Sequence, residues 1–169
     1  MILRPIISQD KIERRVAELA EQIRADYAGR DLTIVAVMKG AIFFVVDMVR
    51  RLDRPLRLDL VQVASYMGTD SSGNPRILTP IGSDLRGQNI LVVDDVLDTG
   101  LTLQWVTDEV KRRNPESVKV CVLLTKKSRR QTDVTADYSG FDLDSEFVVG
   151  YGLDLDGQYR NLPYIAAVE

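Results

Sequence analysis

Ile90-Leu91-Val92-Val93-Asp94-Asp95-Val96-Leu97-Asp98-Thr99-Gly100-Leu101-Thr102 is the stretch that decides how this chain folds. Four apolar residues run straight into two carboxylates, and three residues later Asp-Thr-Gly-x-Thr opens a pattern of helical spacing. An apolar run of this kind, bounded by turn residues, reads as a buried parallel strand, a tight loop and a helix N-terminus. The loop offers backbone N–H groups and a partial positive charge to a phosphate. The acids at the strand's end suit ribose hydroxyls or a hard cation. A plain turn with a helix cap gives the same local pattern with no ligand, although ligands favour the carboxyl ends of parallel strands.

Outward from this stretch, strands and helices alternate. Ser8 can cap a first helix whose stripe is Ile12, Val16, Leu19, Ala20 and Ile23, stopped by Gly29. Residues 32–37 form a short apolar strand, followed by Met38-Lys39-Gly40 and a helical pattern over 41–52. Residues 57–66 read as a longer strand, and residues 67–80, rich in glycine, proline and polar side chains, read as loop. After the central strand come a helix over 101–113 and a strand over 118–124, and 147–149 and 164–168 are strand-like again. This order predicts an α/β fold with a mainly parallel sheet covered on both faces. The loops after Val37, Val93 and Leu124 then gather at one sheet edge, each with residues suited to a site: Lys39, the 94–102 segment and Lys126.

A chain of 169 residues fits one domain with a sizeable core. At 45% hydrophobic and 28% charged residues it has a soluble composition, and a net charge of −3 does not suit a general polyanion binder. No apolar run reaches the ~20 residues needed to span a bilayer. No signal-peptide pattern opens the sequence, so a cytoplasmic location is expected. The single cysteine, Cys121, lies in an apolar run and reads as a core residue. The absence of histidine excludes imidazole acid–base chemistry and histidine metal sites. Catalysis falls to carboxylates, lysine, tyrosine, backbone donors and an oxygen-liganded cation. Trp105 lies off the face shared by Leu103, Val106 and Val110, where it packs within the monomer or fills a subunit contact.

The full 90–102 pattern closely resembles the phosphoribosyl-diphosphate (PRPP) signature of type I phosphoribosyltransferases: hydrophobic strand, two acids, two mostly apolar residues, Asp-Thr-Gly-x-Thr. Phe147-Val148-Val149-Gly150-Tyr151-Gly152-Leu153-Asp154 resembles the hypoxanthine-guanine branch of that family, and Tyr159-Arg160-Asn161-Leu162 resembles a segment that follows it there. The resemblance runs from Met38 to Leu162. It implies a type I phosphoribosyltransferase fold over residues 1–169: a twisted, mainly parallel sheet flanked by helices, a small hood from the N- and C-terminal segments, and a flexible lid loop over about 65–80.

The same resemblance implies residue roles. Met38-Lys39-Gly40 matches a Leu-Lys-Gly diphosphate loop that often contains a non-proline cis peptide. Ser65 and Tyr66 match a pair at the start of the lid. Asp94 and Asp95 anchor the ribose, and Asp98, Thr99, Gly100, Leu101 and Thr102 hold the 5′-phosphate, with Asp98 also the general base at the purine N7. Counting back from Phe147 without gaps places Lys126 on the purine 6-oxygen. Phe147 stacks on the base, the Val148 backbone meets its edge, and Asp154 reaches the guanine amino group or the water shell of a Mg²⁺ ion whose residues are Asp94, Asp95 and Asp154. Arg160 meets diphosphate. The implied activity is Mg-dependent purine salvage, joining PRPP and hypoxanthine or guanine into IMP or GMP and diphosphate. The expected assembly is a homodimer or homotetramer with no membrane or nucleic-acid partner.

One position departs from the pattern. The hypoxanthine-guanine branch usually has Glu-Asp where this chain has Asp94-Asp95. A pyrimidine-operon RNA-binding regulator on the same fold shares the Val-Asp-Asp-Val-Leu start but usually has tyrosine at the position of Asp98. That regulator, and a xanthine-preferring transferase, are the alternatives.

Overall fold

Strands that are apolar on both sides need cover on both sides. The computed structural model describes residues 2–64 and 76–169. Its main sheet has the order β4 (Ile77–Thr79), β3 (Arg57–Val63), β2 (Thr33–Met38), β5 (Asn89–Leu97), β6 (Ser117–Lys126), β7 (Tyr138–Leu143). Every pairing in it is parallel except β3 with β4. Helices α1 (Gln9–Asp26) and α2 (Ile42–Leu52) cover one face and α3 (Leu101–Lys111) the other. A second, antiparallel sheet joins β1 (Leu3–Ile7), β9 (Ile165–Val168) and β8 (Val148–Val149), so the two ends of the chain meet.

The alternation along a strand explains the continuous apolar runs. Ile34, Ala36, Leu91 and Val93 pack with Ile12, Val16, Phe44 and Met48 beneath α1 and α2. Their sequence neighbours Val35, Val37, Ile90 and Val92 pack with Leu103, Val106 and Val110 of α3. Each large side chain buried this way contributes roughly 1.5–3 kcal/mol, so both faces of β2 and β5 hold the fold together. The stripe on α1 is buried as its spacing predicts, and Ser8 Oγ caps the helix by accepting from Lys11 N–H at 3.4 Å. Cys121 is buried among the α1/α2-side residues, and burial pushes its thiol up. Trp105 packs half-buried against the α3-side core.

The structure corrects several sequence-based bounds. The central strand does not end at Val93 but continues through both acids to Leu97, because β6 stays in register beside it (Asp94 with Val122, Val96 with Leu124, Leu97 with Thr125). The loop expected through residue 80 contains β4, and Ala64 N–H donates to Arg76 O at 2.8 Å where β4 joins β3. All three β4 residues are exposed, so no burial alternation marks them. Strands β1 and β7 also go unpredicted. Gly140 within β7 sits where an added Cβ would strike the Leu123 carbonyl, a close approach that only the pairing with β6 reveals. Of the expected lid, residues 65–75, including Ser65 and Tyr66, lie outside the described residues.

Candidate active site

The pairing of β2 with β5 runs from Thr33–Ile90 to Ala36–Val93 and stops there. Beyond it the chain leaves β2 toward α2 on one face and leaves β5 toward α3 on the other. Such a divergence is a topological switch point, and it opens a crevice at the carboxyl ends of the strands. Here the crevice is a cleft of about 670 Å³.

The loop after β5 forms one wall. Asp98, Thr99, Gly100 and Thr102 line the cleft, whereas Leu101 does not and is exposed. Gly100 adopts φ +86° at the N-cap of α3 and provides no side-chain cap. The Leu101 N–H meets Thr99 Oγ1 at 3.4 Å. The first-turn donors of α3 therefore face little side-chain competition, and with the helix dipole they suit a phosphate dianion. Asp98 is half-buried: Arg129 Nη1 lies 3.3 Å from its Oδ2, while Oδ1 is buried with no hydrogen-bond partner among the described residues.

Asp94 and Asp95 face Lys39 and Gly40 across the crevice, and all four line it. The Met38–Lys39 peptide bond is cis. Asp94 Oδ1 accepts from Asp95 N–H at 2.8 Å and Asp95 Oδ1 from Val96 N–H at 2.6 Å. Burial, reinforced by the neighbouring Asp95 charge, raises the Asp94 carboxyl well above its ordinary range. Burial also raises Asp95, opposed in part by the Arg160 charge. Among the described residues no three acidic, histidine or cysteine groups assemble into a cage. Two adjacent carboxylates without a cage fit Mg²⁺, which is held by one or two carboxylates and fills its shell with water and phosphate oxygens.

The opposite wall comes from the chain after β7. Phe147 lines the cleft with half its surface exposed, while Val148 is buried in β8, paired with Ala167. Arg160 Nη1 donates to Gly152 O at 2.5 Å, and its Nη2 lies 2.7 Å from Asp154 Oδ1. Asp154 Oδ2 accepts from Gly157 N–H at 2.7 Å, so both its oxygens are engaged. A Cβ added at Gly152 would meet the Gly40 carbonyl, so the walls touch backbone to backbone. Lys126 is buried at the end of β6 and does not line the cleft; its Nζ donates to Glu146 O at 2.8 Å. Burial lowers its pKa, with the Asp98 charge opposing.

Sequence reasoning missed two contributors. Gln62, Val63, Ala64 and Leu78 line the cleft, and the position of Gln62 near the carboxyl end of a parallel strand was the available signal. The basic stretch after Lys126 is joined to the loop after β5. Arg130 donates from Nε to Asp98 O at 3.2 Å and from Nη1 to Val134 O at 2.7 Å, and Gln131 N–H donates to Thr99 O at 2.9 Å.

Residues 6–156 match a family model described as a phosphoribosyl transferase domain. The hypoxanthine-guanine phosphoribosyltransferase of Mycobacterium tuberculosis is 42% identical over 171 residues, covering 97% of this chain and 85% of that protein. Its counterpart from Aquifex aeolicus is 41% identical, covering 99% and 95%. A crystal structure of a hypoxanthine-guanine phosphoribosyltransferase from Bacillus anthracis, with a HEPES molecule in its active site, superposes with a TM-score of 0.94 at 38% identity over 100% of both chains.

Proposed function

This chain belongs to the phosphoribosyl transferase family, and we propose that its cleft joins the 5-phosphoribosyl group of PRPP to N9 of hypoxanthine or guanine, releasing diphosphate and giving IMP or GMP. It is a transferase of purine salvage. The observation that carries the reading is the meeting, in one crevice, of a helix start, an acid pair and an exposed aromatic ring. Those three features match the three parts of the product: phosphate, ribose and base.

The chemistry follows from charge. Breaking the C1–diphosphate bond leaves positive charge on the ribose, and departure of the diphosphate needs neutralisation. The α3 N-terminus, Thr99 and Thr102 hold the 5′-phosphate. Asp94 and Asp95 bind the ribose hydroxyls, and Lys39, the Gly40 backbone and Arg160 receive the diphosphate. Asp94 and Asp95 would hold Mg²⁺, with Asp154 meeting its water shell or the guanine amino group, and the ion would supply charge neutralisation for the departing diphosphate. Phe147 stacks on the purine, the Val148 backbone meets its edge, and Lys126 turns from the Glu146 carbonyl to the 6-oxygen. Asp98 takes the N7 proton as N9 attacks. The resemblance assigns Ser65 and Tyr66, outside the described residues, to a lid whose role would be to keep water from the sugar cation.

A second copy of this chain completes the assembly we propose. Ile42, Phe43 and Val46 of α2 are exposed, as are Leu58 and Leu60 of β3. Leu58 and Leu60 are in register with Ile34 and Ala36, so they share the sheet face of α2. Exposed apolar side chains on one sheet face favour association, and sedimentation at micromolar concentration is expected to give a dimer or tetramer.

The test of function is nucleotide formation from PRPP and Mg²⁺ with hypoxanthine, guanine, xanthine, adenine and uracil offered separately. Product with hypoxanthine or guanine, lost on chelating the metal, is the expected result. Turnover with uracil alone, or with none of the bases, would break the assignment and favour an RNA-binding role; faster turnover with xanthine would rename the substrate.

A further inference from the structure

Asp98 is held by a residue outside both sequence signatures. The chain after β6 carries Lys127, Arg129 and Arg130, and Arg130 fastens it to the carbonyls of Asp98 and Val134. Gln131 adds a backbone bond to Thr99. An added Cβ at Gly100 would meet Thr132 Oγ1, so this stretch lies directly on the phosphate loop. Arg129 is thereby delivered to the Asp98 carboxylate, with Nη1 3.3 Å from Oδ2.

We propose that Arg129 is a positioning residue for the transfer reaction. Its guanidinium fixes the Asp98 carboxylate through Oδ2 and leaves Oδ1, buried and without a partner among the described residues, to meet the purine. The inference rests on the reading of Asp98 as the base. Three observations support it. A charge-assisted contact to one oxygen sets the orientation of the other. The nearby cation Lys126 bonds the Glu146 carbonyl, not the Asp98 carboxylate. The Arg129 side chain is 58% exposed, so the pair adds little to folding stability. Removing Arg129 therefore leaves the fold in place, and any loss of rate reports on the carboxylate.

The experiment is a double-mutant cycle on the full chain with PRPP, Mg²⁺ and hypoxanthine. Arg129→Gln is expected to lower kcat about tenfold, a fraction of the ~10²–10⁴ that a positioned base supplies. The KM for PRPP should stay within about twofold, and Arg129→Lys should recover most of the rate by restoring the charge. In an Asp98→Asn background the same Arg129→Gln change should alter kcat by less than about twofold, because the group it orients is gone. An equal loss in both backgrounds would place the action of Arg129 elsewhere and overturn the proposal. So would an unchanged kcat in Arg129→Gln beside a slow Asp98→Asn enzyme, which leaves the base reading standing. A near-normal Asp98→Asn enzyme would instead sink the base reading and this inference together.

Discussion

Replacing Gly40 with alanine puts a methyl group where the Asp95 carboxylate already stands. A Cβ built on Gly40 overlaps Asp95 Oδ2 and crowds its Cγ. Gly40 does not sit at positive φ, so space rather than backbone conformation is the obstacle. To make room, Asp95 must rotate, giving up the 2.6 Å bond that its Oδ1 accepts from Val96 N–H, or the 38–40 segment must withdraw. Withdrawal would also separate Gly40 from Gly152, whose backbones touch. Losing a buried hydrogen bond costs about 1–3 kcal/mol, and overpacking costs a similar amount. At about 2 kcal/mol, a chain of this size loses roughly 4–8 °C of Tm. The 38–40 segment and the acid pair then move apart by about an ångström, and a displacement of that size costs on the order of 10²-fold in rate. The assay is IMP formation with PRPP varied, beside a thermal melt of the same preparation. Gly82→Ala is the control, since nothing lies within 4 Å of its added Cβ. A Gly40→Ala enzyme with the melt and kcat/KM of the parent would refute the reading of this contact.

Phe147→Ala removes the ring proposed to stack on the base. Base–aromatic stacking contributes about 1–3 kcal/mol, so the purine KM should rise roughly 5- to 150-fold while the KM for PRPP holds; equal rises in both would argue that Phe147 does not contact the base. Asp98→Asn is expected to lower kcat by about 10²–10⁴ with PRPP binding intact, measured by steady-state kinetics and by PRPP titration; near-normal turnover would end the base assignment. Tyr27 is pushed up to about 12, chiefly by burial, from an ordinary value of 10.0. Tyr151 and Tyr138 are also raised, first by burial and then by their bonds to Asp47 and Asp26. The folded chain then holds these protons longer than the unfolded one. For Tyr27 that stability is fully present below about pH 10 and is lost as pH rises through about 12, while the contributions of Tyr138 and Tyr151 persist to higher pH. Phenolate absorbance should show a late-titrating group of tyrosines and Tm should fall over this window; uniform titration near pH 10 with a level Tm would contradict it.

Where the relevant physics is local, the sequence carried it. The strand, acid pair, glycine loop and helix start occupy one contiguous stretch, and the periodicities of strand and helix are visible in it. The alternation that sends Val92 and Val93 to opposite cores is legible as a continuous apolar run. Lys39 could be placed at the carboxyl end of a strand by spacing alone. Phe147 and Asp154 could not; their reading came from resemblance to a family.

The tertiary structure decided what depends on segments distant in sequence. That β2 and β5 lie side by side and part beyond Ala36 and Val93 follows from pairing across more than fifty residues, which no local pattern encodes. The same holds for β4, exposed at every position and defined only by its bonds to β3. The contacts of Gly40 with Asp95 and Gly152, and of Arg129 with Asp98, join stretches that are far apart in sequence and whose meeting no local pattern encodes. The sequence by itself determined which chemical groups this protein has and which short elements carry them, because backbone propensity and side-chain period act over a few residues. Only the folded sheet decided which of those groups meet, because register and packing are settled by burial of both sheet faces at once.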